Sequence, residues 1–499
     1  MNCRLFAFFM RTYCVTLFAI LGLYSLAEGQ NRSDSIFVPL TNDEYRAWYD
    51  WHERELIRTQ TGTLSSFARA PFVFNSHGLD SSRSLRSLVQ NRDNIASSLT
   101  VQSEQIVERR LAPRSLESFS GEFSFSPLRN LCFQMSGSLD ESRAKDPLYT
   151  GKKWRGLAGE LSTAMMSYQS SHLHLGFGRF GSSWGDRHSL LLSPDVSLDG
   201  LEYALSWKRI TLRYRLARLD GLNPDVDSVT EFSNRYLAGH RLEYQLNQNW
   251  QIAFGEMVVF GGPGRGVELG YLNPLLFFHG SQLNEDVNDN TLLFSELTAQ
   301  PIPKTKLFAQ LVIDDFQIDN QARGDKEPTQ FALRSIVDLV EIVHHTDLRI
   351  GYTRVSNWTY NQIDPRNRYS YLGRPIAAVR GNDYDETSLG IRRWFTPSSS
   401  LTATVTYRRQ GEGRIAADWT EPWILATGDY QEPFPTGVVE STLQPSLTFR
   451  GTLAPWLLLH AEGGIGFIRN ERNVQDAEAN RPFLSLRLSL PLRFSIPVS

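Results

Sequence analysis

Residues 201–216 read LEYALSWKRITLRYRL, and this stretch decides the fold class. Large apolar side chains occupy the odd positions from 201 to 207, and polar or small residues occupy the even positions. Lys208 and Arg209 interrupt the alternation, which resumes in the opposite phase from Ile210 to Leu216. Because successive side chains of a strand point to opposite faces, a period of two indicates β-structure. The stretch therefore predicts an antiparallel hairpin with one apolar and one polar face.

The same period recurs through most of the chain beyond Glu117, notably in residues 172–178, 241–254, 401–408 and 484–490. A soluble β-sandwich and a membrane-spanning β-barrel share this pattern, so periodicity alone does not separate them. Aromatic residues at predicted strand ends favour the barrel, because such residues form girdles at bilayer interfaces. The aromatic residues in question are Trp207, Trp250, Tyr407 and Trp456.

The connectors between predicted strands are of two kinds. Lys208-Arg209 is a tight turn, whereas residues 357–385 and 411–437 are long polar stretches. Outer-membrane barrels have short periplasmic turns and longer outer loops. Roughly 380 residues at about 20 per strand with its connector predict 16 to 20 strands, and an even number is preferred.

The amino terminus resembles a secretory signal peptide. Arg4 and Arg11 precede an apolar stretch from Val15 to Leu26, and Ala27-Glu28-Gly29 places small residues where a signal peptidase cleaves. The apolar stretch is shorter than the ~20 residues that a membrane-spanning helix needs, so we expect a cleaved leader over residues 1–29. An exported protein is consistent with an outer-membrane destination.

Composition and charge exclude several function classes. The chain carries a formal charge of −3, and removal of the leader leaves −4, which disfavours a nucleic-acid-binding protein. Of three cysteines only Cys132 lies beyond the leader, so an intrachain disulfide is excluded and no zinc or redox site is indicated. We accordingly expect neither a cofactor nor a metal.

The region between the leader and the strands has a helical period. Thr41 to Arg58 predicts a helix, with Thr41 and Glu44 in capping-box spacing, and residues 81–111 suggest one or two more. We therefore predict a signal peptide over residues 1–29, a mainly helical periplasmic region over 30–115 and a transmembrane barrel over 116–499.

Several local patterns occur in a fixed order along the chain. They are Gly178-Arg179, Trp184-Gly185, Ser189-Leu-Leu-Leu-Ser193, Gly200, His240-Arg-Leu-Glu243, Glu256, Tyr271-Leu-Asn-Pro274, Asn290, Asp314-Asp-Phe316, Gly373-Arg-Pro375 and residues 383–389. Together these patterns resemble the capsule-assembly family known as Wzi. Two features depart from the family: Trp184-Gly185-Asp186-Arg187 lacks a further glycine, and the chain ends Ser495–Ser499 without a terminal aromatic residue, although Phe494 lies close by.

The resemblance implies an outer-membrane barrel of eighteen strands with an amino-terminal helical portion at the periplasmic side. It also implies a lectin-like, non-catalytic role in holding capsular polysaccharide on the cell surface. The expected partners are surface polysaccharide, outer-membrane lipid and, during biogenesis, the barrel-assembly machinery. We expect the protein to be a monomer in the outer membrane.

Two groups of candidate site residues follow. Polar residues expected to face the lumen are Arg179, His240, Arg241, Glu243, Glu256, Asn273, Asp314 and Asp315. They either form a network that rigidifies the interior, since an isolated buried charge is costly, or present a polar surface to sugar hydroxyls. Candidates for ligand contact, in connectors or at strand ends, are Trp184, His188, Trp358, Tyr360, Tyr369, Tyr371, Trp419 and Trp423. Their rings either stack on sugars or anchor the barrel at the interface.

An enzyme and a channel are the two alternatives to polysaccharide binding. Strict alternation places Asp314 and Asp315 on opposite faces, and likewise separates His344 from His345, so neither pair suits acid/base catalysis. Residues 261–266 are glycine-rich but lack the Lys-Ser/Thr of a phosphate loop. We therefore predict that the protein is not an enzyme.

A channel remains the alternative, because sixteen or more strands enclose a potential pore. If loops bind the polymer, replacing Trp419 and Trp423 should weaken retention and leave folding intact.

Overall fold

The computed structural model describes most of the chain from residue 94 onward and a few segments before it. The described residues are 35–36, 50–51, 53–58, 74–75, 94–108, 114–128, 130–186, 188–221, 233–285, 288–315, 326–427, 430–454 and 457–497. The predicted signal peptide, most of the predicted helical region and Trp456 lie outside them. Among the described helices, none has the length and apolar character needed to cross a membrane.

Eighteen long strands make up most of the described chain. They are β1 (Asn94–Glu108), β2 (Arg114–Leu128), β3 (Leu131–Asp140), β4 (Leu157–Gln169), β5 (Leu173–Phe180), β6 (Leu198–Trp207), β7 (Ile210–Arg218), β8 (Asn234–Asn247), β9 (Trp250–Gly262), β10 (Asn290–Ala299), β11 (Thr305–Asp315), β12 (Gln330–Val343), β13 (Thr346–Val355), β14 (Tyr384–Thr396), β15 (Ser399–Gln410), β16 (Glu440–Ala454), β17 (Leu457–Arg469) and β18 (Glu478–Pro497). Each pairs antiparallel with the next, and β18 pairs with β1, which closes a barrel. The predicted large antiparallel barrel and the favoured count of eighteen are confirmed.

Short helices and strand pairs lie in the connectors. The helices are α1 (residues 50, 51 and 53–58), α2 (Glu141–Ala144), α3 (Leu269–Leu272) and α4 (Phe278–Glu285), with 3₁₀ turns at Pro365–Asn367, Pro422–Leu425 and Glu471–Asn473. The short strands are Ser35–Ile36, Phe74–Asn75, Lys153–Trp154, Ser370–Tyr371 and Arg374–Pro375.

The alternation along each strand assigns its side chains to the two surfaces of the wall. In the hairpin of β6 and β7, Glu202 and Arg215 are opposite each other and buried, whereas Leu205 is 47% exposed on the outer surface. Other exposed apolar side chains of the outer surface include Phe177, Leu242, Phe254, Leu447 and Leu484. An apolar exterior around a polar interior is the arrangement of a barrel that spans a bilayer.

The two ends of the barrel differ in their connectors, as the sequence predicted. One end, here the short-turn end, carries tight turns such as Lys208-Arg209 and Gln248-Asn249. The other, here the loop end, carries the connections 181–197, 263–289, 356–383 and 411–439. By the general rule for such barrels, the short-turn end faces the periplasm.

The expectation of helices across residues 81–111 is wrong over Asn94–Glu108, which forms β1 and pairs along its length with β18. The segment has Ile95, Leu99, Val101 and Val107 at odd positions, and serine, threonine and glutamine dilute this period. Neighbouring strands on both sides supply the backbone hydrogen bonds that a weakly patterned strand needs. The barrel thus begins before the predicted boundary at residue 116.

Helix α1 lies in the mouth of the barrel at the short-turn end and coincides with the second half of the predicted helix from Thr41 to Arg58. Arg54 and Ile57 are buried, and Arg54 Nε donates to Asp347 Oδ2 at 3.0 Å. Arg392 on β14 pairs with Asp50 at 2.9 Å. Charged contacts to the barrel wall therefore hold the helix in place.

Residues 181–197, here the plug loop, turn inward from the loop end and fill part of the lumen. Leu190, Leu191 and Leu192 are at most 3% exposed and pack in one apolar cluster with Tyr360 and Tyr369 of the connection 356–383. The apolar run in the middle of a polar connector explains this folding, because burial removes its leucines from water.

Candidate functional site

A lumen network of charged side chains lies at the centre of the wall formed by β7 to β10. Arg241 donates to both carboxylate oxygens of Glu296, at 2.9 and 2.6 Å, and through Nε to Glu243 at 2.9 Å. Arg213 Nε donates to the same Glu243 oxygen at 2.5 Å. Two guanidinium groups and two carboxylates thus compensate each other's charge in a buried site. Arg241 and Glu243 face the lumen, as predicted.

Gln310 on β11 connects the lumen network to the plug loop. Its Nε2 donates to Glu296 Oε2 at 3.0 Å and to the carbonyl oxygen of Trp184 at 3.1 Å. Its Oε1 accepts the backbone N–H of Leu190 at 2.7 Å. The side chain is fully buried, so it supplies partners to loop backbone groups that are shielded from water.

Asp186 forms a second attachment between the plug loop and the wall. Arg349 Nη2 donates to Asp186 Oδ2 at 3.1 Å, and Arg334 Nε lies 3.9 Å away. Although burial acts to raise the pKa of Asp186, the two guanidinium groups hold it below its ordinary value. The plug loop is thus fixed to the wall by a charged contact as well as by Gln310.

The lumen prediction is wrong for four residues. Arg179 bonds Asp199 near the outer rim, at 2.9 Å from Nε to Oδ1, and Asn273 is exposed in a loop. His240 and Glu256 are opposite each other on the outward-facing side of β8 and β9, because His240 is in register with outward-facing Tyr214. The polar character of His240 and Glu256 predicted that they face the lumen, but the register with the neighbouring strands decides which side of the wall a residue faces.

The two adjacent aspartates lie at the loop end of β11. Asp314 accepts the backbone N–H of Tyr360 and so holds the connection 356–383 against the wall. The register shifts between Ile313 and Asp315, so the strict alternation that would place the two aspartates on opposite faces does not hold there. Asp315 is half-buried at this irregularity.

Three of the aromatic ligand candidates belong to the packed interior. Trp184 is 1% exposed, and Tyr360 and Tyr369 are fully buried. The Tyr360 hydroxyl donates to the carbonyl oxygen of Leu190 at 2.7 Å, and the Tyr369 hydroxyl donates to that of Leu191 at 2.8 Å. Burial raises the pKa of both tyrosines well above the ordinary value, which keeps them neutral donors. Their predicted role in ligand contact is wrong, because no ring face is open to a ligand.

A second aromatic cluster joins the connections 356–383 and 411–439. The rings of Trp358 and Trp419 have centroids 4.9 Å apart, and Trp423 packs edge-on against both. Trp358 Nε1 donates to Glu432 at 2.9 Å, and burial raises the pKa of that carboxyl. Trp358 and Trp423 are buried, whereas Trp419 is half-buried. Because Trp423 is buried in this cluster, we now expect that its replacement disturbs the packing of the two connections.

The remaining two ligand candidates lie in different places. Tyr371 is half-buried in the short hairpin at the loop end, and the nearby Arg179 acts to lower its pKa against the larger effect of burial. His188 is exposed into a cavity of about 220 Å³ that borders α1, far from the outer loops. Of the eight candidates, Tyr371 and Trp419 retain partly accessible rings at the loop end.

A larger polar cavity, here the outer cavity, lies between the walls of β15 to β18 and measures about 1290 Å³. It extends from the outer connection at Glu471 down to Glu462. Its polar lining includes Arg408, Ser441, Thr442, Gln444, Glu462, Arg469, Glu478, Asn480 and Arg481. None of these residues is among the candidates predicted from the sequence, although many of them occupy the polar positions of the period-two strands.

The closed barrel, its apolar exterior and its plugged interior define an outer-membrane β-barrel protein. The family model of the capsule assembly protein Wzi matches residues 117–482. The chain therefore belongs to the Wzi capsule assembly family, which confirms the predicted family and the predicted location in the outer membrane.

Solved structures with the same fold include Wzi from Escherichia coli, an outer membrane protein involved in group 1 capsule assembly and a carbohydrate-binding β-barrel. The two share 11% identity over 92% of this chain and all of that chain, with a TM-score of 0.58. OpdK with vanillate and OccD3, both from Pseudomonas aeruginosa, share 14% and 10% identity over 80% of this chain and over 99% and 91% of theirs. Their TM-scores are 0.46 and 0.45, too low to support an inference. No curated protein matches the chain.

Proposed function

We propose that this chain binds capsular polysaccharide at the loop end of the barrel and holds it at the cell surface without catalysis. The observation that carries the proposal is the combination of a lumen partly filled by the plug loop with a polar outer cavity of about 1290 Å³. Guanidinium, carboxylate and amide groups in its lining suit the hydroxyl groups of a sugar chain. E. coli Wzi, which has the same fold, is a carbohydrate-binding barrel.

Arg481 and Trp419 are the proposed contact residues that a substitution can test most cleanly. The side chain of Arg481 is 56% exposed in the outer cavity and pairs with Glu471. Trp419 offers part of a ring, on which a pyranose face can stack. Tyr371 is the third proposed contact. We also propose a monomer that the barrel-assembly machinery inserts, with residues before the barrel forming a periplasmic region.

The test is surface retention of polysaccharide in the source bacterium. Deletion of the gene should move extracellular polysaccharide from the cell-associated to the released fraction, and the wild-type gene should reverse this. Arg481→Ala and Trp419→Ala should restore retention only in part, at normal levels of heat-modifiable protein. Arg209→Ala, at the short-turn end, is the matched control and should restore it fully.

Unchanged retention in the deletion strain would contradict the proposal. Steady, large single-channel currents from the purified protein in planar bilayers would instead favour the channel alternative, because a barrel obstructed by its own loops does not conduct in that way.

A further inference from the structure

The connection between β9 and β10, residues 263–289, bends back from the loop end and lies on the outside of the barrel. We call it the outer-wall loop. Tyr214 on β7 donates its hydroxyl to the carbonyl oxygen of Tyr271 at 2.7 Å. The ring of Tyr271 is 4.4 Å from that of Phe260, and the ring of Phe278 is 4.6 Å from that of His240. The three wall residues in these contacts, Tyr214, Phe260 and His240, all point to the outside of the barrel.

The outer-wall loop reaches the middle of the barrel wall. Glu256 lies at the midpoint of β9, between Trp250 at the short-turn end and Gly262 at the loop end. It accepts the backbone N–H groups of Phe278 and His279, at 2.7 and 3.2 Å, at the start of α4. The outward-facing carboxylate is thus bonded to the loop, at a height where the wall of a barrel contacts the bilayer.

The outer-wall loop covers wall that would otherwise face lipid. Val258 and Phe260 point outward beyond Glu256, and both are fully buried. Phe254, the outward residue on the other side of Glu256, is 52% exposed. The apolar outer surface therefore continues on both sides of the polar pair of Glu256 and His240. The outer-wall loop covers the side with Val258 and Phe260, where lipid would otherwise contact the wall.

The large exposed side chains of residues 267–277 in the outer-wall loop are apolar, apart from Asn273. Leu269 is 84% exposed, Leu275 82% and Phe277 56%. Arg265 near the start of the loop donates to both oxygens of Asp289, at 2.6 and 2.9 Å, and pairs with Glu268 at 2.7 Å. An exposed apolar patch of this kind marks a surface that contacts a membrane or another protein.

We infer that residues 268–279 are embedded in the outer leaflet, with Leu269, Leu275 and Phe277 against its acyl chains. The occupant is the bilayer hydrocarbon because the exposed side chains continue the lipid-facing surface of β8 and β9, where Leu242 and Phe254 are exposed. The segment seals an outward-facing carboxylate and histidine from lipid. This extends the protein's membrane contact beyond its strands, independently of any glycan.

Spin labels at single cysteines test the inference on the full protein. In a Cys132→Ala background, Leu269→Cys and Leu275→Cys each carry a nitroxide in bilayers of palmitoyl-oleoyl phosphatidylcholine. Leu425→Cys is the matched control, because Leu425 is 85% exposed in the connection 411–439 at the loop end. Heat-modifiable migration on gels verifies that each labelled variant is folded.

We expect the labels at 269 and 275 to collide more often with oxygen than with a water-soluble nickel chelate, and the label at 425 to show the reverse preference. Nickel accessibility at 275 equal to that at 425 would place the loop in water and overturn the inference. Spin–spin broadening at 275 that disappears on dilution with unlabelled protein would also overturn it, because a second copy would then occupy the surface.

Discussion

Replacing Gln310 with alanine should release the plug loop from the barrel wall. The side chain is fully buried and is the hydrogen-bond partner of two backbone groups of the loop, the Leu190 N–H and the Trp184 carbonyl oxygen. Alanine leaves both groups without that partner. A buried polar group that loses its partner costs about 1–3 kcal/mol, so the two together give about 2–6 kcal/mol.

Hydrogen exchange is the measurement that resolves this effect, because local opening of a loop need not change global stability. A loss of about 2–6 kcal/mol should speed exchange in peptides covering residues 186–194 by roughly 30-fold to 10⁴-fold, since 1.4 kcal/mol corresponds to a factor of ten. Peptides from β15 to β17 should exchange as in the wild type.

Gln444→Ala is the matched control, because Gln444 lines the outer cavity and not the plug loop. It should leave exchange in residues 186–194 unchanged. Equal protection of this segment in Gln310→Ala and the wild type would refute the assignment of Gln310 as the anchor of the plug loop.

Three further substitutions test other parts of the structure. Arg241→Ala leaves two buried carboxylates short of a partner and should cost about 3–5 kcal/mol, seen as a lower heat-modification temperature; an unchanged temperature would contradict the network. Burial and the neighbouring Asp315 raise the pKa of Glu327 to about 7. The stability that Glu327 contributes is therefore present at a pH below the ordinary pKa of a glutamate, and it is lost as the pH rises to about 7. Glu327→Gln should make the melting temperature depend less on pH in this range. Parallel curves of melting temperature against pH for the variant and the wild type would contradict this role of Glu327. Arg54→Ala should loosen α1 and expose residues 50–58 to added protease, and wild-type resistance would show that Ile57 and the Asp50–Arg392 pair hold the helix without Arg54.

The sequence predicted β-structure and a range of 16 to 20 strands, because alternation is a local property that a single chain displays. The count of eighteen was implied by the resemblance to the Wzi family. The hairpin of residues 201–216 needed no tertiary information, since Lys208 and Arg209 mark the turn and the phase reverses there. In β1 the same period is present but weak, and the spacing of its apolar residues predicts a helix instead. Pairing with β18, which is distant in sequence, decides the structure of that segment.

The site was harder to predict because it depends on how loops fold. Trp184, Tyr360 and Tyr369 have the composition of a sugar-binding surface, yet they form the apolar core of the plug. One signal was available: the three consecutive leucines from 190 are out of place in an exposed polar loop. For His240 and Glu256, extension of the phase from the preceding hairpin would have placed both on the outer surface.

Equilibrium binding of the source bacterium's own extracted surface polysaccharide, measured on the purified protein in lipid nanodiscs, tests the central claim most directly. We predict saturable binding to the wild type, weaker binding to Arg481→Ala and wild-type binding to Arg209→Ala. Absence of binding by folded, heat-modifiable protein would contradict the account.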